Sequence, residues 1–370
     1  MEACELLTLE TRLDRIEAEL AVELPPHLRA FARAHARGMP PPPAPDVLQR
    51  PATLATARAA LVHPVLADRG LALLRLATPV AIEADPAVAA ARSAAPTWAG
   101  LSALAAARDA AAMARSGRRA IDVLHRLHGS AVDLATLPVG ERSPGPAAAD
   151  RESDGVPPPV PGWFEPDGVA VDDRAIARAW DELRARHGVA GALQLDRTST
   201  SGARPRAFVI EPGREVVLAI PAQVATPAAR FAVLHELGHA VAALALPAGL
   251  PRVVDEAAAA FVARAIERDA EPWYSALAGA ARARRRRLAQ VLDRIERALP
   301  APPAAPVISE RPPWALWHDP GAQAAYVAAE WLADAIEQAI GASPAPGALA
   351  AGLTAWSTAI DRLCTVTCAI

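Results

Sequence analysis

A mainly α-helical chain with a small β-hairpin or sheet is the fold class the sequence predicts, and three observations carry it. About a quarter of the 370 residues are Ala and only 4% are aromatic, and apolar residues recur at three- and four-residue spacing over long stretches. That composition and that period belong to amphipathic helices. Two short runs break the pattern: Arg206–Glu211 and Glu215–Ile220 are rich in β-formers and are separated by Pro212 and Gly213, which suit the centre of a tight turn. Finally, the 36 Pro residues cluster, and because a run of Pro continues neither a helix nor a central strand, the clusters mark the breaks between elements.

The first break, Pro40–Pro45, follows a short helical stretch. Thr53–His63, Ala87–Ala95 and Thr97–His128 then read as amphipathic helices, so residues 1–136 are expected to form a helical N-terminal module. The second break, over 137–162, is dense in Pro, Gly and charge and reads as a linker or long surface loop that would let the first module swing away. Residues 163–370 form the remaining domain. Within it Val171–His187 is a helix capped by Asp172 or Asp173 and stopped by Gly188, the hairpin follows, and Thr226 with Pro227 announces the next helix.

Composition excludes several functions. The 38 basic and 41 acidic residues leave a formal charge of −3, so no global field draws the chain to nucleic acid or to an anionic membrane. Every basic residue is Arg, which removes a Lys nucleophile and a phosphate-loop Lys. Charged, Pro or Gly residues interrupt each apolar stretch before the roughly 20 residues a spanning helix needs. The N-terminus carries Glu2 and Glu5 where a secretory signal would be basic, and the three Cys (Cys364 and Cys368 among them) offer no second pair for a zinc site. A cytoplasmic protein with no nucleic-acid or membrane partner is expected.

The helix after Thr226 holds the informative residues. His235 and His239 in the sequence H-E-L-G-H lie four apart, which brings both imidazoles to one helix face where they can chelate one zinc ion. Glu236 points about 100° around the axis from His235, away from the ligand pair and toward a water on the metal. The flanking Phe231, Val233, Leu234, Leu237, Ala240 and Val241 make the helix apolar nearly all round, so these polar groups are buried and need a partner. A catalytic zinc site takes a third protein ligand. Glu256, on the first turn of the following helix, is the choice; the four Ala after it and the bare Gly238 allow close helix packing. Asp255 is the alternative ligand, or the group that fixes a His tautomer.

These residues resemble a known class. The stretch from Phe231 through His235, Glu236 and His239 to Val241, followed by Val254, Asp255, Glu256 and Phe261, is similar to the core of the gluzincin metallopeptidases, and within them to the oligopeptidase F and thimet oligopeptidase group. The resemblance implies a zincin-like metallopeptidase core, Zn2+ held by His235, His239 and Glu256, and Glu236 as general base. It extends to Trp317, His318, Asp319 and Pro320 and to Ala325–Glu330, where His318 and Tyr326 would stabilise the tetrahedral intermediate. The ImmA/IrrE-like metallopeptidases, many of them regulators that cleave a repressor, are the second resemblance, through Arg230, Phe231 and His235. The expected activity is hydrolysis of peptide bonds in short or unstructured peptides. The alternatives are a regulatory protease acting on a dedicated protein partner and a catalytically silent zinc-binding module.

Other features have plainer readings. Arg282 and Arg284–Arg287 read as a solvated helix face, because no aromatic residues interleave for base stacking. His125 and His128 form an H-x-x-H pair with no neighbouring carboxylate evident in sequence, and read as structural. Trp314, Trp317, Trp331 and Trp356 read mostly as core, with some able to line a cleft. The strand Glu215–Ile220 is expected to be an exposed edge open to an extended peptide.

Overall fold

A computed structural model describes residues 3–94, 96–131, 158–169, 171–198, 204–246, 250–270, 272–301, 312–341, 344 and 347–368. The chain is mainly helical with one small sheet. It begins with α1 (Ala3–Ala36), α2 (Asp46–Gln49), α3 (Pro51–Leu61), α4 (Ala67–Glu83), α5 (Pro86–Arg92), α6 (Trp98–Ser116) and α7 (Ala120–Leu127). After the segment 132–157 come α8 (Asp173–His187), β1 (Ala192–Thr198), β2 (Arg206–Glu211), β3 (Glu215–Pro221), α9 (Pro227–Ala245), α10 (Arg252–Arg268) and α11 (Pro272–Ala298). Then follow α12 (Trp314–His318), α13 (Ala322–Ile340) and α14 (Ala348–Cys368). No helix among the described residues is long and apolar enough to cross a membrane.

Local chemistry accounts for the boundaries. The Asp172 side chain accepts from Ala175 N to open α8, and Gly188, at φ 65°, closes it in the left-handed conformation. Thr226 accepts from Ala229 N with Pro227 in the first turn of α9. The stretch expected as one helix over Thr97–His128 is two, because Gly117 adopts φ 69° and ends α6.

Two expectations are corrected here. The hairpin of β2 and β3 is present and antiparallel, but β1 pairs parallel with β3 from the other side, giving the order β1-β3-β2. Glu215–Ile220 is therefore the central strand, with Val216, Val217, Leu218, Ala219 and Ile220 all buried, and it has no free edge for a peptide. The second correction concerns the N-terminal helices. One continuous core contains Leu13, Leu61 and Leu74 from the first helices together with Leu218, Leu237, Phe261, Leu332 and Ile360. A second cluster joins Leu101 and Leu104 of α6 to Leu292 of α11 and Trp317 of α12. Residues on the two sides of the Pro-rich segment thus share their cores, and swinging the helices away would expose both. Trp317, Trp331 and Trp356 are buried as expected of core residues. The side chains of Trp314, Cys364 and Cys368 lie outside the described residues.

Candidate metal centre

The centre is built by two helices that touch backbone to side. A methyl group on Gly238 of α9 would lie 2.5 Å from the carbonyl oxygen of Ala259 and 2.6 Å from its Cα in α10. Only a residue without a side chain permits that approach. Ala257, Ala258, Ala259 and Ala260 are buried in the same contact. The short distance between axes lets Glu256, on the first turns of α10, reach the two imidazoles that α9 presents one turn apart.

His235, His239 and Glu256 place one ligand atom each within 4.8 Å of one another. Glu256 Oε2 lies 3.2 Å from His235 Nε2 and 3.5 Å from His239 Nε2, close to the roughly 3.3 Å edge of a tetrahedron whose bonds are about 2.0 Å long. Two imidazoles and a carboxylate are the donor set of a catalytic zinc site that keeps a position open. The residues present fit a divalent cation. Among the described residues no other group of three such side chains converges in this way.

The electrostatics agree. Glu256 is buried, which would raise its pKa, yet His239 and then His235 hold it well below the ordinary carboxylate range. Burial, and next the nearby Arg285, lower His235, so its ring is neutral and able to donate a lone pair. Burial opposes charge on His239 too, but Asp255 and Glu256 raise it well above its ordinary value. A proton on His239 thus fills the role that a cation would take over. His239 Nδ1 lies 3.0 Å from Asp255 Oδ2, an ion-pair contact made from the ring nitrogen opposite the one that faces Glu256.

Glu236 is half-buried and faces β2, with Oε2 accepting a hydrogen bond from Ala207 N at 2.7 Å. Since that N–H is used by Glu236, it is turned away from β3. α9 packs against both strands of the hairpin, and the outer edge of β2 meets it at Ala207.

Tyr326 of α13 lines the small cavity at the cluster together with His235, Glu256, Arg285, Arg286 and Glu330. Its phenol lies 3.4 Å from Arg252 Nη2, and Glu256, followed by burial, raises its pKa. It keeps its proton and can donate. Arg252 is itself held by Asp319 in two hydrogen bonds of 2.7 and 2.6 Å and sits 3.6 Å from Glu256 Oε1. His318 is not brought to this place. It is exposed at the end of α12, and burial, Arg92 and Arg108 lower its pKa. It is absent from the residues lining the cavity.

Arg285 was hidden in the basic run. Its Nη2 lies 3.5 Å from His235 Nε2, and its guanidinium stacks 4.8 Å from the centre of the Tyr326 ring. A signal was available: the buried positions Tyr274, Ala278, Ala281, Ala289 and Leu292 of α11 form one stripe with three- and four-residue steps, and position 285 falls on it. A charge on the buried stripe of a helix is an inward-facing charge.

Neither a protein-family model, nor a curated protein, nor a solved structure matches this chain.

Proposed function

We propose that the chain is a zinc-dependent peptidase that hydrolyses peptide bonds in short or unstructured peptides. The observation that carries the reading is the convergence of His235, His239 and Glu256, with the Glu236 carboxylate on the neighbouring helix face and anchored to the edge of β2. His235, His239 and Glu256 would hold the ion, and Asp255 would fix the tautomer of His239. Bound zinc supplies Lewis acidity and a water acidified toward neutrality. Glu236 accepts the proton of the attacking water and returns it to the departing amine nitrogen, so no acyl-enzyme is needed. Tyr326 donates from its protonated phenol to the carbonyl oxygen as charge develops there. Beyond Ala207, whose N–H Glu236 already takes, the edge of β2 offers backbone groups to an extended peptide, which would be read through its main chain.

The experiment is the Glu236→Gln variant, loaded with zinc and incubated with a mixed peptide library followed by mass spectrometry. The amide oxygen can still accept from Ala207 N–H, so zinc content and folding are expected to match wild type while cleavage falls by about 10²–10⁴-fold. Near-wild-type cleavage removes Glu236 from the mechanism. An inactive wild type that binds zinc at one ion per chain moves the reading to a dedicated protein partner or to a silent zinc-binding module.

A further inference from the structure

The Arg side chains around the metal centre differ in what neutralises them. Arg252 forms its two hydrogen bonds to Asp319, and Arg264 meets Glu330 and Asp334 at 2.5 Å each. Arg282 pairs with Glu267. Arg285 has no carboxylate within ion-pair distance among the described residues; it meets the aromatic face of Tyr326 and the ligand nitrogen of His235. The nearest buried carboxylate, Glu256, is already taken by two imidazoles. A guanidinium offers five N–H donors and no acceptor, and half-burying it with Glu256, Glu330 and Glu236 near enough to favour its charge but none in ion-pair contact is costly. Here it is also held beside a cluster built for a cation, where its charge opposes binding of that cation. Both costs are offset if an anion joins the two.

Resting on the peptidase reading above, we propose that Arg285 holds an anionic oxygen of the substrate at the His235, His239 and Glu256 cluster. Its Nη2 lies 3.5 Å from His235 Nε2, and the guanidinium lines the same small cavity as Glu256 and Tyr326, which is where a bound carbonyl could reach it. As the water oxygen bonds to the carbonyl carbon, the π pair of the C=O moves onto oxygen. Arg285 and Tyr326 then face one negative oxygen from a stacked, pre-positioned pair. When the C–N bond breaks, its electron pair goes to nitrogen, the proton held by Glu236 follows, and the oxygen returns to a carbonyl. Arg285 gives up no proton. A free carboxylate on the substrate offers the same chemistry from a second source. Arg285 thus fills the place that the resemblance assigns to His318, from a different helix.

The test has one arm free of activity. Apo wild type, Arg285→Met and Arg285→Lys are titrated with Zn2+ against a competing chelator. Removing a positive charge beside a divalent ion is expected to tighten zinc binding about tenfold in Arg285→Met, with Arg285→Lys near wild type. Unchanged or weaker binding in Arg285→Met overturns the proposal, since the charge then does not act at the cluster. A wild type that takes up no zinc fails the peptidase reading itself, and this proposal with it. The second arm measures turnover of a quenched fluorescent peptide, made with a free and with an amidated C-terminus, by the zinc-loaded proteins. A fall in kcat of about 10²–10³-fold on both peptides at little-changed KM assigns the oxygen to the tetrahedral adduct. A raised KM on the free acid alone assigns it to a substrate carboxylate. Wild-type parameters on both peptides overturn the proposal.

Discussion

Two places in the molecule bury a pair of His and a Glu between helices, and they come out opposite. At the first, His235, His239 and Glu256 turn their ligand atoms inward to within 4.8 Å of one another. At the second, His125 and His128 lie at the end of α7, and α11 brings Asp293 to 3.5 Å from His125 Nε2, adding to the carboxylate of Asp122 on the same helix. Yet His128 Nδ1 lies 3.3 Å from Gly321 O and Glu296 accepts from Gly321 N at 2.7 Å, so these side chains tie down the start of α13 and do not face one another. The protonation follows the partners. Two imidazoles hold Glu256 well below the ordinary carboxylate range. Glu296 has burial and the neighbouring Asp293 and Asp319 against it, and is pushed up to about 8. The same residue types form a charged, converging cluster or a neutral structural joint according to where the helices aim their atoms.

The largest effect expected is on that convergence. Glu256→Ala should lower zinc affinity by several orders of magnitude, because one of three protein ligands is gone, and His239→Ala should do the same. Glu296→Ala should leave zinc content at one ion per chain. Metal analysis of the three purified variants checks this, and zinc loss in Glu296→Ala with Glu256→Ala unaffected would reverse the assignment of the two sites.

Next comes the packing that allows the ligands to meet. Gly238→Val forces side-chain atoms into the Ala259 backbone, which cannot rotate aside as a side chain can. Overpacking of this kind costs about 1–3 kcal/mol, and here it also separates Glu256 from the imidazoles. Thermal unfolding should show the loss, and zinc binding should weaken with it. A folded Gly238→Val protein with unchanged zinc affinity would show that the close approach of α9 and α10 is not what sets the site.

What could be read from sequence follows the same division between local and non-local chemistry. His235, Glu236 and His239 were legible because helix period alone fixes their relation, and Thr226 with Pro227 fixed the start of the helix. Glu256 was legible because the bare Gly238 and the Ala run announced a close crossing, and the Gly238 to Ala259 approach is that crossing. The strand β1 was not: Leu193, Gln194, Leu195, Asp196 and Arg197 are at most half-buried, so they carry little apolar signal, and their parallel pairing to β3 spans a long stretch of chain. Missing β1 turned the central strand into an apparent edge. His318 and Arg285 show the limit from both sides. A motif-like neighbourhood placed His318 at the site, whereas it is exposed at the end of α12 and does not line the cavity, while a basic run concealed an Arg lying on a buried stripe. Burial periodicity was the better guide than residue type.

A smaller effect separates ligand from orienting group. Asp255→Ala should weaken zinc binding or activity by about 10–100-fold, less than Glu256→Ala, because His239 keeps its inward nitrogen and loses only the carboxylate 3.0 Å from Nδ1. Chelator competition on both variants checks the order, and the reverse order would make Asp255 the ligand.

The smallest effect is read at the second site, as the pH dependence of stability. Glu296, raised from 4.5 to about 8 by burial foremost, is protonated in the folded protein and ionised in the unfolded chain between those values. The unfolded state then binds fewer protons, so stability is fullest below 4.5 and falls as pH rises through about 8, at a slope of about 1.4 kcal/mol per unit. His125 and His128 act in the opposite sense: burial lowers each from 6.5 to about 4, so the stability they confer is present above 6.5 and is lost as pH falls toward 4. The two His outweigh one Glu between 4.5 and 6.5; above 6.5 Glu296 and, in the metal-free chain, His239, which Asp255 and Glu256 raise well above its ordinary value, both make stability fall. Stability should therefore peak near neutrality and decline from 6.5 to 8. Glu296→Gln keeps an acceptor for Gly321 N–H and cannot ionise, so its melting temperature should fall less steeply than that of wild type over that upper range. Parallel curves for the two proteins from pH 6.5 to 8 would show that Glu296 is already charged in the fold, and that the second cluster, like the first, carries a cationic partner for its carboxylate.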